Sequence, residues 1–288
     1  MRTGQFLVKG QVLGTDQVVS IPTPSSVLVF PFCIFDSNSP LLTNTEITIN
    51  NTHTSTLARL DLFFISQDGE LTIDRTRTVA ARSSLTLKIS DVFSQTVGYL
   101  IVVMRDVDDY PIKFNYLTGS ERVYVESGQN GTINATSVKC VQNIQWWPPG
   151  KDPLDPDPTP PGPLNLLKIS MPFDGVSYEK LPSSSRVMKN VREDSIFALA
   201  SISGELGGGV AKMQKFSEFR AVLLASDKKA LYMGNMLPIK TIYYGTLSDL
   251  FPSAKEDMSQ FWSGGDCSIR FEPWGPNNFN LFQILFNR

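Results

Sequence analysis

The chain has 288 residues, of which 41% are hydrophobic and 19% charged, and its formal net charge is −2. That length and apolar content exclude a disordered chain and allow one large or two ordinary domains. No Lys/Arg cluster accompanies the near-neutral charge, which excludes a phosphate-neutralising nucleic-acid face. The opening residues, Met1-Arg2-Thr3-Gly4-Gln5, carry no apolar signal region. The expectation is therefore a chain that is not exported or, preferred here, a mature chain whose leader has been removed. The longest apolar run, from Ser26 to Phe35, falls well short of the roughly 20 residues of a membrane span. Pro31 inside it fits an edge or bulged strand better than a helix.

Further along, Thr45 to Asn50 alternates cleanly between polar and apolar residues. From Arg59 to Ser66, Leu60, Leu62 and Phe64 share one face while Phe63 and Ile65 share the other, and Asp68-Gly69 supplies a hairpin turn. Leu85, Leu87 and Ile89 alternate with Thr86, Lys88 and Ser90. Tyr99 to Met104 is apolar in both phases, as in a central strand. Phe114-Asn115-Tyr116-Leu117 and Arg122-Val123-Tyr124-Val125 are predicted as the next pair of strands. Residues 148–163 are so dense in proline that they cannot join a ladder or a helix; they read as a semi-rigid polyproline spacer. Beyond them, strands are predicted at 164–169, 196–202, 220–225, 230–233, 239–244, 268–271 and 279–286. The expected fold is all-β: two antiparallel β-sandwiches in tandem, Ig-like or jelly-roll-like, over residues 1–147 and 164–288, joined by the 148–163 linker.

The halves also echo one another. Leu62-Phe63-Phe64-Ile65-Ser66 is followed by Ser90-Asp91-Val92-Phe93, as Val222-Leu223-Leu224-Ala225-Ser226 is followed by Ser248-Asp249-Leu250-Phe251. Each series runs strand, turn, strand, then a Ser-Asp pair able to cap one helical turn, as in an internal duplication.

Little in the chain points to catalysis. Its one histidine, His53, lies in a polar turn and is expected in solvent; a single His excludes H-E-x-x-H and any multi-His metal site. No G-x-S-x-G elbow is present for a serine nucleophile. Gly204-Glu205-Leu206-Gly207-Gly208-Gly209 runs into Val210-Ala211-Lys212, not into the Lys-Ser/Thr of a phosphate cradle. Asp106 and Asp108, at a strand end, are the candidate Ca²⁺ ligands, without the glycine turn or closing Glu of an EF-hand loop. The aromatic faces of Trp146 and Trp147, beside the linker, are the candidate sugar-stacking surface or else pack at the hinge, with Trp262 and Trp274 as further aromatics. The acids are scattered, without the paired carboxylates of a glycosidase in any local motif. Cys33, Cys140 and Cys267 are expected as buried small hydrophobes, with a Cys33–Cys140 disulfide as the alternative. The sequons at Asn50, Asn130 and Asn134 matter only in a eukaryotic secretory pathway.

A set of motifs, in order, gives a family resemblance. Thr45-Glu46-Ile47-Thr48-Ile49-Asn50-Asn51-Thr52, Leu62-Phe63-Phe64, Gly98-Tyr99-Leu100-Ile101-Val102-Val103 and Phe114-Asn115-Tyr116-Leu117-Thr118-Gly119 resemble the I-x-I-T-N-T, H-L-F-F-V, G-Y-I-V-A-V and F-N-Y-L-I-G series of uncharacterised exported bacterial proteins. In the second half, Gly175-Val176-Ser177-Tyr178-Glu179-Lys180-Leu181-Pro182 and Leu247-Ser248-Asp249-Leu250-Phe251-Pro252 are similar to their N-G-x-S-Y-x-x-L-P and L-S-D-x-F-P. The resemblance spans about residues 27–288. It implies export and a β-rich fold, with no activity, cofactor or catalytic residue attached.

Taken together, the expectation is a non-enzymatic protein of the extracellular space or cell surface, an assembly subunit or adhesion module with protein partners and no transmembrane segment. Exposed edges at residues 5–10 and 17–21 are candidates for adding to a neighbour's sheet. A viral jelly-roll capsid protein and a secreted carbohydrate-binding protein or hydrolase are the alternatives.

Overall fold

The structure is a computed structural model that describes residues 6–8, 11–12, 23–38, 43–107, 112–124, 130–139, 179, 187–189, 196–202, 217–224, 230–239, 241–251, 268–274 and 280–286. The first half contributes β1 (Phe6–Val8), β2 (Gln11–Val12), β3 (Val27–Ile34), β4 (Asn44–Asn51), β5 (Ala58–Ser66), β6 (Leu71–Val79), β7 (Ser83–Lys88), β8 (Val97–Arg105), β9 (Leu117–Tyr124), β10 (Asn130–Asn134) and β11 (Thr136–Val138). The second contributes β12 (Val187–Lys189), β13 (Ile196–Ile202), β14 (Ser217–Leu224), β15 (Ala230–Ile239), β16 (Ile242–Thr246), β17 (Ser268–Trp274) and β18 (Asn280–Phe286). Two single helical turns, Ile89–Asp91 and Leu247–Leu250, complete the described elements. The fold is all-β, and the strands pair antiparallel into four sheets: I, β10-β9-β4-β7; II, β11-β3-β8-β5-β6; III, β16-β13-β18-β1-β2; and IV, β12-β17-β14-β15.

Alternation decides what is buried. Ile47 and Ile49 from β4, Leu87 from β7 and Leu117 from β9 point from sheet I toward sheet II. There they meet Leu28, Phe30, Leu60, Leu62, Phe64, Leu100, Val102 and Met104 in one core. Two sheets closed over one such core make a β-sandwich. Each fully buried side chain of this kind contributes about 1.5–3 kcal/mol. The opposite phase of sheet II, with Val27, Val29, Phe32, Phe63, Ile65, Tyr99, Ile101 and Val103, is also buried. Second-half residues reach this region: the ring of Tyr244 lies 6.0 Å from that of Phe32. The Thr241 hydroxyl stands 2.8 Å from the carbonyl oxygen of Ser66 and 2.7 Å from that of Gln67. Apolar residues in both phases of β3, β5 and β8 are thus the signature of a sheet covered twice, and β8 lies centrally between β3 and β5.

Pro31 sits where β3 shifts register against β8, between Phe30 and Cys33. A bulge spares the ladder the N–H that proline lacks. Gly69 turns the β5–β6 hairpin with φ at 83°. Several expectations need correction. Residues 114–116 are not in a strand, and β9 runs unbroken from Leu117 through Gly119 and Ser120 to Tyr124. Gly119 is there for lack of space: a Cβ would stand 2.9 Å from the Phe30 ring and 3.0 Å from the Thr48 carbonyl oxygen. The segment predicted at 239–244 is divided between β15, which ends at Ile239, and β16, which begins at Ile242. Ser90 and Asp91 lie inside the first helical turn, whose N-cap is Lys88 and carries no side-chain cap. Cys33 is a free, buried thiol, so the Cys33–Cys140 bridge does not form. The strand expected at 164–169, the linker at 148–163, the Gly204–Gly209 loop, Cys140 and Cys267 lie outside the described residues.

The two halves share one pattern of connections. Taking β3 to β9 in order against β12 to β18, every pairing recurs: β3–β8 with β12–β17, β5–β8 with β14–β17, and β5–β6 with β14–β15. The other sheets correspond likewise, β4–β7 with β13–β16 and β4–β9 with β13–β18. Even the register shift recurs, between Leu60 and Leu62 on β5 and between Arg220 and Val222 on β14. A helical turn precedes β8 and another precedes β17.

Candidate functional site

The two halves differ in what stands beside β9 and beside its counterpart β18. In sheet I, the place beside β9 is taken by β10, which follows β9 in the chain. In sheet III, the equivalent place beside β18 is taken by β1, from the opening of the chain. The register is Phe6 opposite Phe286, Leu7 opposite Leu285 and Val8 opposite Ile284. β2 then folds back on β1, with Leu7 opposite Val12 and Val8 opposite Gln11. The seat is therefore made of backbone: β18 uses one edge for β13 and offers the other to a strand drawn from far away in sequence. Residues 6–8, within the segment expected to add to a neighbour's sheet, pair instead with the chain's own β18 and β2. Residues 17–21 lie outside the described residues.

A second surface is the outer face of sheet I. Residues from β7, β4 and β9 form rows across it: Lys88, Glu46 and Arg122; Thr86, Thr48 and Ser120; Ser84, Asn50 and Thr118. Side chains tie neighbours together within the rows. Thr48 and Thr86 hydroxyls lie 3.2 Å apart, Ser84 donates to Asn50 Oδ1 at 2.6 Å, and Asn50 Nδ2 donates to Thr118 Oγ1 at 3.3 Å. At one end the Arg122 guanidinium lies 4.8 Å over the Tyr124 ring.

Two buried acids were missed in reading the sequence. Asp61 is 2% exposed, with one oxygen 2.8 Å from Arg105 Nε and the other 3.9 Å from Arg75 Nε. Its signal was a carboxylate in phase with Phe63 and Ile65. Glu121 shares the inward phase of β9 with Leu117, Gly119 and Val123 and is fully buried. Burial drives its carboxyl pKa well above the ordinary range, against a smaller opposing effect of the Phe32 backbone. No hydrogen bond of good geometry closes on either of its oxygens among the described residues. Burial, and then the nearby Glu121, push the Cys33 thiol up as well. In the second half, Glu272 is held below the ordinary range, chiefly by its hydrogen bond from Arg220 and also by Arg270.

The sequence candidates fall apart from these groups. Asp106 follows β8, partly exposed, while Asp108 lies outside the described residues, as do Trp146 and Trp147. No group of three or more His, Cys, Asp or Glu side chains converges among the described residues. His53 is half-buried, not free in solvent as expected. Its Nδ1 accepts the backbone N–H groups of Ser55 and Thr56 at 3.2 and 3.0 Å, and its ring meets Tyr116 edge-on at 4.5 Å. It organises its own loop.

No protein-family model and no curated protein matches the chain. Among solved structures, the crystal structure of Thermotoga maritima 1070 is similar over 40% of this chain and 95% of its own, at 12% identity and a TM-score of 0.31. A likeness at that score says nothing about function. No helix among the described residues is long and apolar enough to cross a membrane.

Proposed function

We propose that this protein is a non-enzymatic structural or interaction protein of the extracellular space or cell surface, and that it works as a subunit of a surface assembly. The observation that carries the reading is the seat beside β18, where a segment remote in sequence adds a strand to a sheet. Strand addition is a recurrent mode of protein–protein recognition, with main-chain hydrogen bonds supplying affinity. The resemblance to exported bacterial proteins supports the compartment. Light scattering and electron microscopy of the full chain over a concentration series test the proposal: growth of particles is expected. A strictly monomeric chain at every concentration counts against it.

A second reading, glycan binding, draws on the outer face of sheet I, whose hydroxyl and amide rows beside Tyr124 could meet sugar hydroxyls and a pyranose face. A glycan array discriminates: signal lost in Thr48→Ala and Tyr124→Ala would favour this reading over assembly.

A further inference from the structure

In the first half, the strand beside β9 is supplied by the next segment of chain; in the second, the strand beside β18 comes from a segment more than 270 positions away in sequence, as Leu7 and Leu285 show (285 − 7 = 278). The β1–β2 hairpin is the outermost part of sheet III, paired to it through β18, and also lies against β10 and β12. Without it, β18 would present Asn280-Leu281-Phe282-Gln283-Ile284-Leu285-Phe286 as a bare edge. That edge has no charge, no proline and high β-propensity, the composition that invites another strand. The β6 edge of sheet II is built differently, with Asp74, Arg75 and Arg77 along it and a register shift against β5. A soluble protein keeps an edge like β18 only if it is occupied.

Residues 13–24 join β2 to the first sandwich, and twelve residues can reach up to about 40 Å when extended. The same register can therefore be satisfied from a neighbouring molecule as well as from within, which is the economy of strand exchange. We propose that the seat beside β18 is a strand-acceptor site, and that in the assembled state its occupant is the β1–β2 hairpin of a second copy of this chain. Each molecule then gives its hairpin forward and receives one from behind, a head-to-tail contact that extends into a filament unless the rotation closes. This inference rests on the assembly reading above and supplies its contact.

Two cysteine experiments test it, with oxidised wild type as the control for the native thiols. Leu7 and Leu285 are Cα partners, close enough for a disulfide in an antiparallel pair. Full-length Leu7→Cys and Leu285→Cys single variants, mixed, assembled and oxidised, are expected to give a covalent pair at twice the chain mass on a non-reducing gel. The double variant, oxidised as monomer, has its own hairpin locked in place and is expected not to assemble until reduced; circular dichroism before and after reduction shows that it is folded. Undiminished particles from the locked variant, without the mixed pair, would overturn the exchange while leaving the assembly reading intact. Monomers alone from wild type at every concentration would remove the reading and the exchange together.

Discussion

At the scale of single residues, the first sandwich is held by apolar contacts and disturbed by two acids. Glu121 is a carboxyl placed where a leucine would suit the phase of β9. With its pKa raised in the folded state by burial, the neutral form favours folding. Its contribution is fully present below the unfolded carboxyl value of about 4.3 and is lost as pH rises through the folded value. Denaturant unfolding followed from acid to alkaline pH should therefore show wild type losing stability across that window. Glu121→Gln should lack that loss; parallel curves would refute the assignment. Asp61 is the opposite case, a buried acid already paired with a cation. Asp61→Ala takes the carboxylate from Arg105, which keeps its bond to the Arg75 carbonyl, and breaking a buried pair costs up to about 3–5 kcal/mol. Lack of space requires glycine at Gly98 and at Gly119. A Cβ at Gly98 would run into the backbone carbonyl oxygen of Ile65, whereas at Gly119 its nearest neighbour is the Phe30 ring. Overpacking of this kind costs about 1–3 kcal/mol. Thermal melts should rank Gly98→Ala below Gly119→Ala, because a paired backbone yields less readily than a side chain.

At the scale of elements, edges and bulges set the behaviour of the sheets. β6 is an edge strand of nine residues, long enough to template aggregation were it apolar. Arg77 Nε lies 2.7 Å from Asp74 Oδ2, and the same carboxylate accepts from Thr76. Burial alone would push the Asp74 carboxyl up, yet hydrogen bonds from Thr76 and Arg77 hold it below its ordinary value. The pairing itself adds little stability at a partly exposed position; its effect is on specificity. Asp74→Val combined with Arg77→Val should leave the melting temperature nearly unchanged and raise turbidity after heating. A clear solution from the double variant would show that the charges do not guard this edge. The β3 bulge has a comparable local meaning: Pro31 was visible in sequence as an obstacle to regular pairing, and the register shift at Phe30 to Cys33 is how the strand accommodates it.

On the scale of the whole molecule, the contacts between described residues of the two halves include hydrogen bonds and a shared sheet. Thr241 reaches the carbonyls of Ser66 and Gln67, and β1 completes sheet III. Removing residues 1–24 should raise amide hydrogen exchange along β18 and β13 while β4, β5 and β8 stay protected, since local opening follows lost pairing. Equal protection with and without those residues would show that β1 adds nothing to sheet III. The β-rich class, most strand positions and the correspondence between Leu62–Ser66 and Val222–Ser226 were legible because alternation with period two is a local property. The site was legible only in part. A strand near residues 5–10 could be read from composition, but not that β18 and β2 pair with both of its edges.

Sequence alone therefore determined that the protein is built of strands, where most of them lie, and that Pro31 would disturb its own strand, since each depends on neighbours along the chain. Tertiary structure decided the rest: that Gly119 lies inside a strand, that Glu121 is inward and buried, and that the place beside β18 goes to β1. Those outcomes depend on which groups meet across sheets, and antiparallel pairing lets residues distant in the chain become neighbours without leaving a trace in either segment's pattern.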